Sequence, residues 1–546
     1  MKNFKYTIRT SAILVVFFLT LVIACKEEAE ELSLSRQFSP SKITSVNGET
    51  QVTITWASSL FTTVGDVSYA VEISDNASDF SNPVIKATVP TTNMRSNTTG
   101  ISVIITDEKL TIKKDYYARV KALGADDTAD SNWLMSSAFR ILGEQFLLPV
   151  TGDELIDVGV LLKWKPNPTL TKIVVTPTGG APITVSLSAA DIAANSKAVM
   201  GLTQLTNYSA EIFQDTKTKG TVTFKTEKSV TGNIVDISVS GDLSPSIGSA
   251  PAGSVIFLGR GKQYILNANF SKSVTIMSKP DFGTNFAIVR SSSTANGVTA
   301  SIDSIVFRDL VIKGGKALNA SYDADYIINV GTAVAAGTTV NRIRLDNCTI
   351  KIFRGVVRQN TANIKFNDYI VNNCVIDSIK DFSIAQASVG QGFGNIRITN
   401  TTVYKSRKII THNPSNGPLG SLSVLIENST FNETPSNNGT NFMIDYNANN
   451  VTNGITIRNC IIGGTWVDGA GVAPNGIRVG SATNVSLVTT YTTSDFVVTS
   501  NPIPGALTYS GTSTALFTSP STGNFKIKDT NFAGKSTTGD PRWRIN

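Results

Sequence analysis

Ile343-Arg-Leu-Asp-Asn-Cys-Thr-Ile350 is one of six octapeptides in this sequence that share a single pattern. Successive copies start 38, 26, 27, 28 and 31 residues apart. A repeat of this length is typical of a solenoid, in which each copy belongs to one coil. The octapeptides therefore predict a stack of coils, to which a set of separate hairpins is the alternative. The other five copies begin at Ile305, Tyr369, Ile396, Val424 and Ile455.

Each position of the octapeptide has the chemistry that one coil of a parallel β-helix needs. Positions one, three and eight are apolar and are predicted to point inward, while two and four are mostly polar and are predicted to point outward. Position five is Asp or Asn, which tolerate the left-handed conformation of a tight bend, and stacked Asn side chains hydrogen-bond from coil to coil. We expect this structural ladder to consist of Asp309, Asn347, Asn373, Asn400, Asn428 and Asn459.

Three of the four cysteines, Cys348, Cys374 and Cys460, occupy position six of the octapeptide. Other copies have Leu, Thr or Ser there, so the thiols are interpreted as small inward-facing residues. Cys348 and Cys374 belong to neighbouring copies, which leaves a disulfide open as an alternative. Spacing typical of a metal site, such as C-x₂-C, is absent, so no metal is predicted.

The repeat region, residues 230–546, resembles the pectate-lyase-like superfamily of right-handed parallel β-helices. This resemblance implies the fold, but the same fold is used for several activities. Because a solenoid must cover its ends, we expect the last residues to form a carboxy-terminal cap, with Trp543 packed over the last coil.

Two sandwich modules are predicted to precede the solenoid. Residues 36–142 resemble a fibronectin type III domain, because Val52-Thr-Ile-Thr-Trp56 looks like its second strand and Tyr116-Tyr-Ala-Arg-Val-Lys-Ala122 like its tyrosine-corner strand. Residues 143–229 resemble a second, less regular copy that contains Trp164. Both Trp residues are predicted to be core residues rather than sugar platforms, and the modules to be spacers. The fold class is therefore all-β, with two immunoglobulin-like sandwiches followed by a parallel β-helix.

The amino terminus has the pattern of an export signal that ends in a lipid anchor. Three basic residues precede an apolar run at residues 12–24, which is too short to cross a bilayer comfortably. The run ends in Leu21-Val-Ile-Ala-Cys25, which resembles the lipobox of bacterial lipoproteins. This implies a signal peptide at residues 1–24 and lipid on Cys25, which anchors the protein to a membrane. A plain signal peptide followed by a chance Cys is the alternative.

Residues 25–35 are predicted to be a lipidated tether, because Lys26-Glu-Glu-Ala-Glu-Glu31 is acidic and a poor fold-former. The acidic run resembles the signal that sends some lipoproteins to the exterior face of the outer membrane; a solvated spacer without an address is the alternative. Loss of the signal peptide lowers the formal charge from +7 to +4, because it contains three basic residues and no acid. No concentrated basic stripe is present, which argues against a nucleic-acid partner.

Basic residues recur in a second register of the coils. Arg354, Lys380 and Arg407 each follow a position-five Asn by seven residues. In register, they form a cationic column on one outer face, where like charges repel unless an anion binds. A polyuronate suits such a column, and a solvated basic edge that deters aggregation is the alternative. Two residues further on stand three apolar residues that are predicted to point inward, namely Val356, Phe382 and Ile409.

Five further residues are candidates for the same face. Arg358, Lys405 and Lys408 lie close to the column in sequence. His412, the one histidine of the chain, follows them and either lines the face or has a structural role. Trp466 lies in a glycine-rich insertion and is either a sugar platform or a loop residue that covers the core.

The chain as a whole resembles the uncharacterised β-helical surface lipoproteins that accompany polysaccharide-utilisation systems. This implies a polysaccharide ligand, attachment to the outer membrane facing the exterior, and outer-membrane glycan-uptake proteins as partners. The first hypothesis is a non-catalytic binding protein for acidic glycans. An adhesion or scaffold protein without a defined glycan site is another hypothesis.

The enzymatic alternative is a polysaccharide lyase that acts by β-elimination. Lys380 or Lys405 would then be the base, and Arg354 or Arg407 would neutralise the enolate. Lyases on this scaffold often use calcium, so calcium stays open as a cofactor for this alternative, although the sequence has no compact carboxylate cluster. No cofactor is predicted otherwise. The paired-Asp and Gly-His-Gly motifs of the β-helical polygalacturonases are absent.

Overall fold

A computed structural model describes residues 36–545 except 61, 63–66, 92–99, 128, 284, 292–295, 315–324, 332–333, 361–363, 390, 413–420 and 469–470. The predicted signal peptide, Cys25 and the predicted tether therefore lie outside the described residues. The chain divides into two compact units. One comprises residues 1–150, 162–197 and 207–224, and the other residues 151–161, 198–206 and 225–546. As the sequence predicts, the fold is all-β, with fibronectin type III-like sandwiches followed by a parallel β-solenoid.

The first module is built from two antiparallel sheets. Alternation along Gln51–Ala57 places Val52, Ile54 and Trp56 in the core, where all three are fully buried. The Tyr116 hydroxyl accepts a hydrogen bond from the Thr111 N–H at 3.1 Å, which is the bond of a tyrosine corner. In sheet order, the strands are Ser41–Asn47, Gln51–Ala57 and Gly100–Thr106 in one sheet, and Ile85–Pro90, Ser68–Ser74, Tyr117–Ala122 and Leu134–Met135 in the other.

The second module also has two sheets, and Trp164 is buried as predicted. Its four-stranded sheet runs Ile183–Ser186, Lys172–Pro177, Asn207–Gln214 and Lys217–Lys225. Its three-stranded sheet runs Ser196–Met200, Gly159–Lys163 and Leu155–Ile156. The α-helices of the described residues are Ala189–Ala194, Leu243–Ser249 and Ser513–Leu516, and the 3₁₀-helices are Gly152–Glu154, Pro520–Thr522 and Pro541–Trp543. None of these helices is long and apolar enough to span a bilayer.

The solenoid contains one sheet of 18 strands, here called the long sheet, in which strands of successive coils pair in parallel. Position one of each octapeptide pairs with position one of the next, from Ile305 through to Ile455. The strands are Ile234–Asp236, Ser254–Leu258, Gln263–Leu266, Val274–Ser278, Ala287–Ser291, Ile302–Gly314, Thr338–Phe353, Ile364–Asn372, Val375–Ile379, Gly392–Thr399, Thr402–Ser406, Ser423–Glu427, Thr430–Asn432, Ile455–Arg458, Ile461–Ile462, Val485–Val488, Tyr491–Thr493 and Leu507–Tyr509.

A second parallel sheet of six strands, here called the short sheet, forms another wall of the solenoid. Its strands are Ile328–Val330, Val357–Gln359, Ala385–Ala387, Ile410–His412, Phe442–Asp445 and Asn475–Arg478. The core lies between the walls, where inward positions such as Ile343, Leu345 and Ile350 are fully buried. Leu243 and Ile247 of Leu243–Ser249 join this core, so the helix covers apolar surface at the first coils.

The position-five residues bend the chain at the same point of each coil. All six have φ between +50° and +54°, the left-handed region that Asn and Asp tolerate. Their side chains form a ladder over only three coils: Asn347 donates to Asp309 at 2.7 Å, and Asn373 donates to Asn347 at 3.1 Å. Asn400 donates instead to Asn372, at position four of the preceding copy.

Cys348, Cys374 and Cys460 are free, buried thiols at inward positions. Burial raises the pKa of the Cys348 thiol, and the neighbouring Cys374 thiol raises it further. The thiols therefore fill the core, as interpreted from position six, and the structure contains no disulfide between the two neighbours.

The carboxy-terminal segment, residues 510–545, contains the antiparallel strands Phe517–Ser519 and Asn524–Ile527. The prediction that Trp543 packs over the last coil is wrong. Trp543 Nε1 donates to the Thr402 hydroxyl at 2.7 Å, and the Arg542 guanidinium donates to Asn373 at 2.7 Å. Because both partners belong to middle coils, the segment lies along the side of the stack.

Candidate functional site

The three basic residues predicted to form a column occupy equivalent positions on successive coils. Phe353 pairs with Ile379, and Ile379 pairs with Ser406. Arg354, Lys380 and Arg407 are the next residues along each strand. All three are half-buried at the end of their strands, where the chain turns towards the short sheet.

Two carboxylates lie among these cations, so the expectation of a column without counter-ions does not hold. Arg354 Nε donates to Asp381 Oδ2 at 2.9 Å, and Arg407 Nη1 donates to Asp381 Oδ1 at 3.2 Å. Arg407 Nε also donates to Asp468 Oδ2 at 2.7 Å. Charges of alternating sign therefore link four coils through Arg354, Asp381, Arg407 and Asp468, here called the Arg–Asp chain.

Asp381 reaches this position because the connection from the long sheet to the short sheet is two residues longer in its coil than in the coils on either side. Val357, Ala385 and Ile410 are paired in the short sheet, so the connection from the long sheet is four residues from Phe353, six from Ile379 and four from Ser406. The extra residues, Asp381 and Phe382, bulge outward. Phe382 is only half-buried, so the prediction that it points into the core is wrong, whereas Val356 and Ile409 are fully buried.

Phe382 holds two guanidinium groups on the outer face. The Cζ atom of Arg358 lies 4.1 Å from the centre of its ring, and that of Arg354 lies 4.9 Å away, both within the range of a cation–π interaction. Tyr326 packs beside it, with ring centres 6.0 Å apart. Arg358 is therefore fixed by aromatic contacts on an outward position of the short sheet.

Arg358 has no carboxylate partner among the residues that the structure describes. Its Nη2 donates to Asn360 Oδ1 at 3.0 Å, its Nη1 lies 3.4 Å from the Tyr326 hydroxyl, and its Nε is buried without a hydrogen bond. A half-buried cation with neutral partners alone is a costly arrangement, which a bound anion relieves.

Lys408 resembles Arg358 in this respect. It is half-buried, and its ammonium group makes no hydrogen bond or ion pair with described residues. Burial lowers the pKa of Lys408, and the Arg407 charge lowers it further, against the opposing effect of Asp445 and Asp381. Asp445 is already bound by Arg478 through two hydrogen bonds of 2.9 Å.

The structure separates Lys405 from the other candidates. Lys405 Nζ donates to the carbonyl of Ser521 at 2.9 Å, in the carboxy-terminal segment. The backbone at Lys405 has φ +53°, so the chain turns at this residue and directs its side chain away from Arg407. Lys405 is therefore not part of the site that contains Arg354 and Arg358.

His412 lies inside the solenoid, so the interpretation that it lines the outer face is wrong. It is the last residue of Ile410–His412 and only 3% exposed. Its Nε2 accepts a hydrogen bond from the Phe393 N–H at 3.1 Å, and its ring stacks on Tyr446 with centres 4.9 Å apart. Burial lowers the pKa of His412 to about 4, so the ring is neutral at pH 7.

Trp466 belongs to the segment that provides Asp468. It forms a parallel bridge with Ser436, and its N–H donates to the Pro435 carbonyl at 3.0 Å. The side chain is half-buried. Trp466 therefore lies on a segment that the backbone ties to the neighbouring coil and that the Asp468 carboxylate ties to Arg407.

Sequence reasoning missed Asp381, Asp468 and Tyr326. The spacing of the octapeptides gave no signal for Asp381, because its coil is 27 residues long and the coils on either side are 26 and 28. The two extra residues are visible only from the pairing of Ala385 with Val357 and Ile410. Nothing local predicted Asp468, which is 61 residues from Arg407. Among the described side chains, no group of three or more His, Cys, Asp or Glu is arranged to hold a metal ion.

The fold and this outer face define an all-β protein with sandwich modules and a parallel solenoid that presents arginines held by aromatic and acidic residues. A family model for a domain of unknown function, DUF5123, matches residues 424–543, which include the last coils and most of the carboxy-terminal segment. No curated protein matches the chain.

Two solved structures from chicken are similar to part of the chain. The FN1–FN3 domains of CNTN1 are 16% identical, with 36% of this chain and 69% of that chain covered and a TM-score of 0.17. A segment of two fibronectin type III domains from tenascin is 12% identical, with 35% of this chain and 99% of that chain covered and a TM-score of 0.17.

Proposed function

We propose that this protein is a cell-surface binding protein for acidic polysaccharides and that it acts without catalysis. The observation that carries the proposal is the Arg358 guanidinium, which is held against Phe382 and Tyr326 with no carboxylate partner among described residues. Guanidinium groups bind carboxylates through paired hydrogen bonds, so a uronate is a suitable ligand.

The charges around Arg358 support an anionic ligand over a neutral one. Asp381 and Asp468 are engaged by Arg354 and Arg407, and Asp445 is engaged by Arg478. Arg358 and Lys408 are left without such partners within the described part of the chain. An acidic sugar supplies the counter-ion that both cations lack, whereas a neutral sugar leaves their desolvation uncompensated.

The rigidity of the site also supports a binding role. Arg358 is fixed by ring contacts and by Asn360, and Arg354 is fixed by both Phe382 and Asp381. Side chains that are already ordered lose little entropy when a ligand binds. The Arg–Asp chain therefore serves as a frame that positions the guanidinium groups before the glycan arrives.

The proposed location rests on the amino-terminal sequence. Lipid on Cys25 attaches the protein to the outer membrane, the acidic tether at residues 26–31 directs it to the exterior, and the sandwich modules act as spacers. The proposed partners are polysaccharide and outer-membrane glycan-uptake proteins.

Affinity electrophoresis tests this function directly. Polygalacturonate and alginate are expected to retard the protein, and neutral dextran is not. The double variant Arg358→Gln/Lys408→Gln is expected to lose most of the retardation, while Lys365→Gln/Lys526→Gln removes the same charge elsewhere on the solenoid and is expected to bind normally. Preference for dextran, or normal binding by the first variant, would contradict the proposal. Absence of binding to every glycan would favour the adhesion or scaffold alternative.

A second candidate function, polysaccharide lyase, is favoured by the lowered pKa of Lys408. A lysine of lowered pKa is a candidate general base, which takes the proton from C5 of a uronate as the bond from C4 to the leaving oxygen breaks and a C4–C5 double bond forms. Lys405 is directed away from this face, so Lys408 is a better base than Lys405. Ultraviolet absorbance of the unsaturated product, measured with and without calcium, tests this function, and Lys408→Gln is expected to remove any such activity.

A further inference from the structure

A second group of basic side chains lies on the outer face of the long sheet, in the part of each coil that follows the bend at position five. Arg290 pairs with Lys313, and Lys313 pairs with Lys351, so these residues stack in register on three successive coils. Their neighbours Val289, Ile312 and Ile350 are fully buried, which places the three cations on the outward side. We call Arg290, Lys313 and Lys351 the basic row.

Lys313 and Lys351 have no counter-ion among the described residues. Neither ammonium group makes an ion pair or a hydrogen bond there, in contrast to Arg354 and Arg407. The next residue in register is Asp377, whose Oδ1 accepts a hydrogen bond from the Ser378 hydroxyl at 2.7 Å. Burial lowers the pKa of Lys313, and the charges of Lys351 and Arg290 lower it further. Lys313 therefore lies between two like charges, whereas Lys351 has Asp377 as its neighbour in register on the following coil.

Protection of a sheet edge does not explain this arrangement. Basic side chains on an edge strand deter pairing with another chain. The strands Ala287–Ser291, Ile302–Gly314 and Thr338–Phe353 each pair with strands on both sides, so they have no free edge. Stacked like charges in the middle of a sheet destabilise it unless something anionic lies along them.

We propose that the basic row is a second site, which binds a linear polyanion aligned with the stack of coils. Successive cations are separated by about one strand spacing, roughly 4.8 Å, which is close to the length of one sugar unit. An acidic polysaccharide that bears one carboxylate or sulfate on each sugar presents charges at this spacing. The choice of ligand rests on the proposed function, and the row itself rests on the pairing of Arg290, Lys313 and Lys351.

The test compares the row variant Lys313→Gln/Lys351→Gln with the control Lys365→Gln/Lys526→Gln in titrations with polygalacturonate, heparin and dextran. The row variant is expected to bind at least one of the two acidic polymers about three- to tenfold more weakly than the unmodified protein, with the difference reduced by salt. Comparison of the affinity lost by the row variant for polygalacturonate and for heparin shows whether the basic row prefers carboxylate or sulfate. Equal binding by the row variant, or an equal loss in the control, would overturn the proposal.

A short polyanion separates this proposal from the proposed function. Tripolyphosphate is expected to raise the thermal midpoint of the unmodified protein and of Arg358→Gln/Lys408→Gln, but much less that of the row variant. Without ligand, the row variant is expected to unfold at an unchanged or higher temperature, because repulsion is relieved. If no acidic glycan binds but this pattern appears, the basic row stands and the proposed function fails. If tripolyphosphate stabilises the row variant as much as the unmodified protein, the basic row fails.

Discussion

Arg354 Nε and Asp381 Oδ2 are joined by a hydrogen bond of 2.9 Å that links two successive coils of the solenoid. The same carboxylate accepts a hydrogen bond from Arg407 on the next coil. In a column made of cations alone, a ligand carboxylate would bind between neighbouring arginines. In this protein the Asp381 carboxylate occupies that position. The proposed binding of an anion at this face consequently rests on Arg358 and Lys408, which have no carboxylate partner among the described residues.

Asp381→Asn is expected to strengthen binding to acidic glycans. The variant loses the carboxylate charge that neutralises Arg354, so the Arg354 guanidinium becomes available to a ligand, whereas Arg407 keeps its ion pair with Asp468. Because the ion pairs are about one-third exposed, the loss of stability is expected to be on the order of 1 kcal/mol or less. Titration with polygalacturonate checks the affinity, and Asp127→Asn is the control for net charge. Weaker binding by Asp381→Asn would mean that Asp381 itself contacts the glycan.

Asn373→Ala is expected to lower the free energy of unfolding by about 1–3 kcal/mol. Its backbone has φ +53°, which Ala tolerates poorly, and its side chain bonds both Asn347 and Arg542. Asn373→Gly keeps the backbone freedom and loses only the side-chain bonds, so it is expected to be less destabilising. Urea denaturation of both variants separates the two contributions. An equal decrease in the free energy of unfolding for Asn373→Ala and Asn373→Gly would show that the left-handed backbone at this position does not account for the effect of Ala.

His412 is expected to make the solenoid less stable in acid. Its pKa is about 4 in the folded protein and 6.5 in the unfolded chain, so the folded state binds fewer protons between these values. The stability that the protein has with a neutral His412 is fully present above pH 6.5 and is lost as the pH falls towards 4. The loss amounts to about 3 kcal/mol, on the order of 1.4 kcal/mol for each pH unit. Denaturation at several pH values is expected to show a flatter dependence for His412→Gln, and an unchanged slope would argue against a neutral, buried ring.

Cys25→Ser is expected to release the protein from membranes. The prediction rests on Leu21 to Cys25 and on the short apolar run before them, because the acyl chains replace a transmembrane helix as the anchor. Cell fractionation followed by immunoblotting measures the distribution. A control replacement at a buried position-six thiol, Cys460→Ser, is expected to leave the protein in the membrane fraction. Retention of Cys25→Ser to the same degree would refute lipidation.

The repeat register followed from the sequence because its causes are local. Alternation with a period of two decides which side chains point inward, and the left-handed tolerance of Asp and Asn decides where each coil bends. Ile343, Leu345 and Ile350 are accordingly all in the core, and Asn347 has φ +52°. The same reasoning failed at Phe382, because two inserted residues shift the register beyond Ile379.

The sequence by itself determined the all-β class, the coil repeat and the equivalence of Arg354, Lys380 and Arg407. Only the tertiary structure decided which charges meet. Arg407 binds Asp468 from a later coil, Lys405 is directed to the carboxy-terminal segment by its own positive φ, and the basic row forms by pairing of strands far apart in the chain. Repeats and bends are encoded within a few neighbouring residues, whereas an ion pair depends on two side chains that only the stacking of coils brings within hydrogen-bond distance.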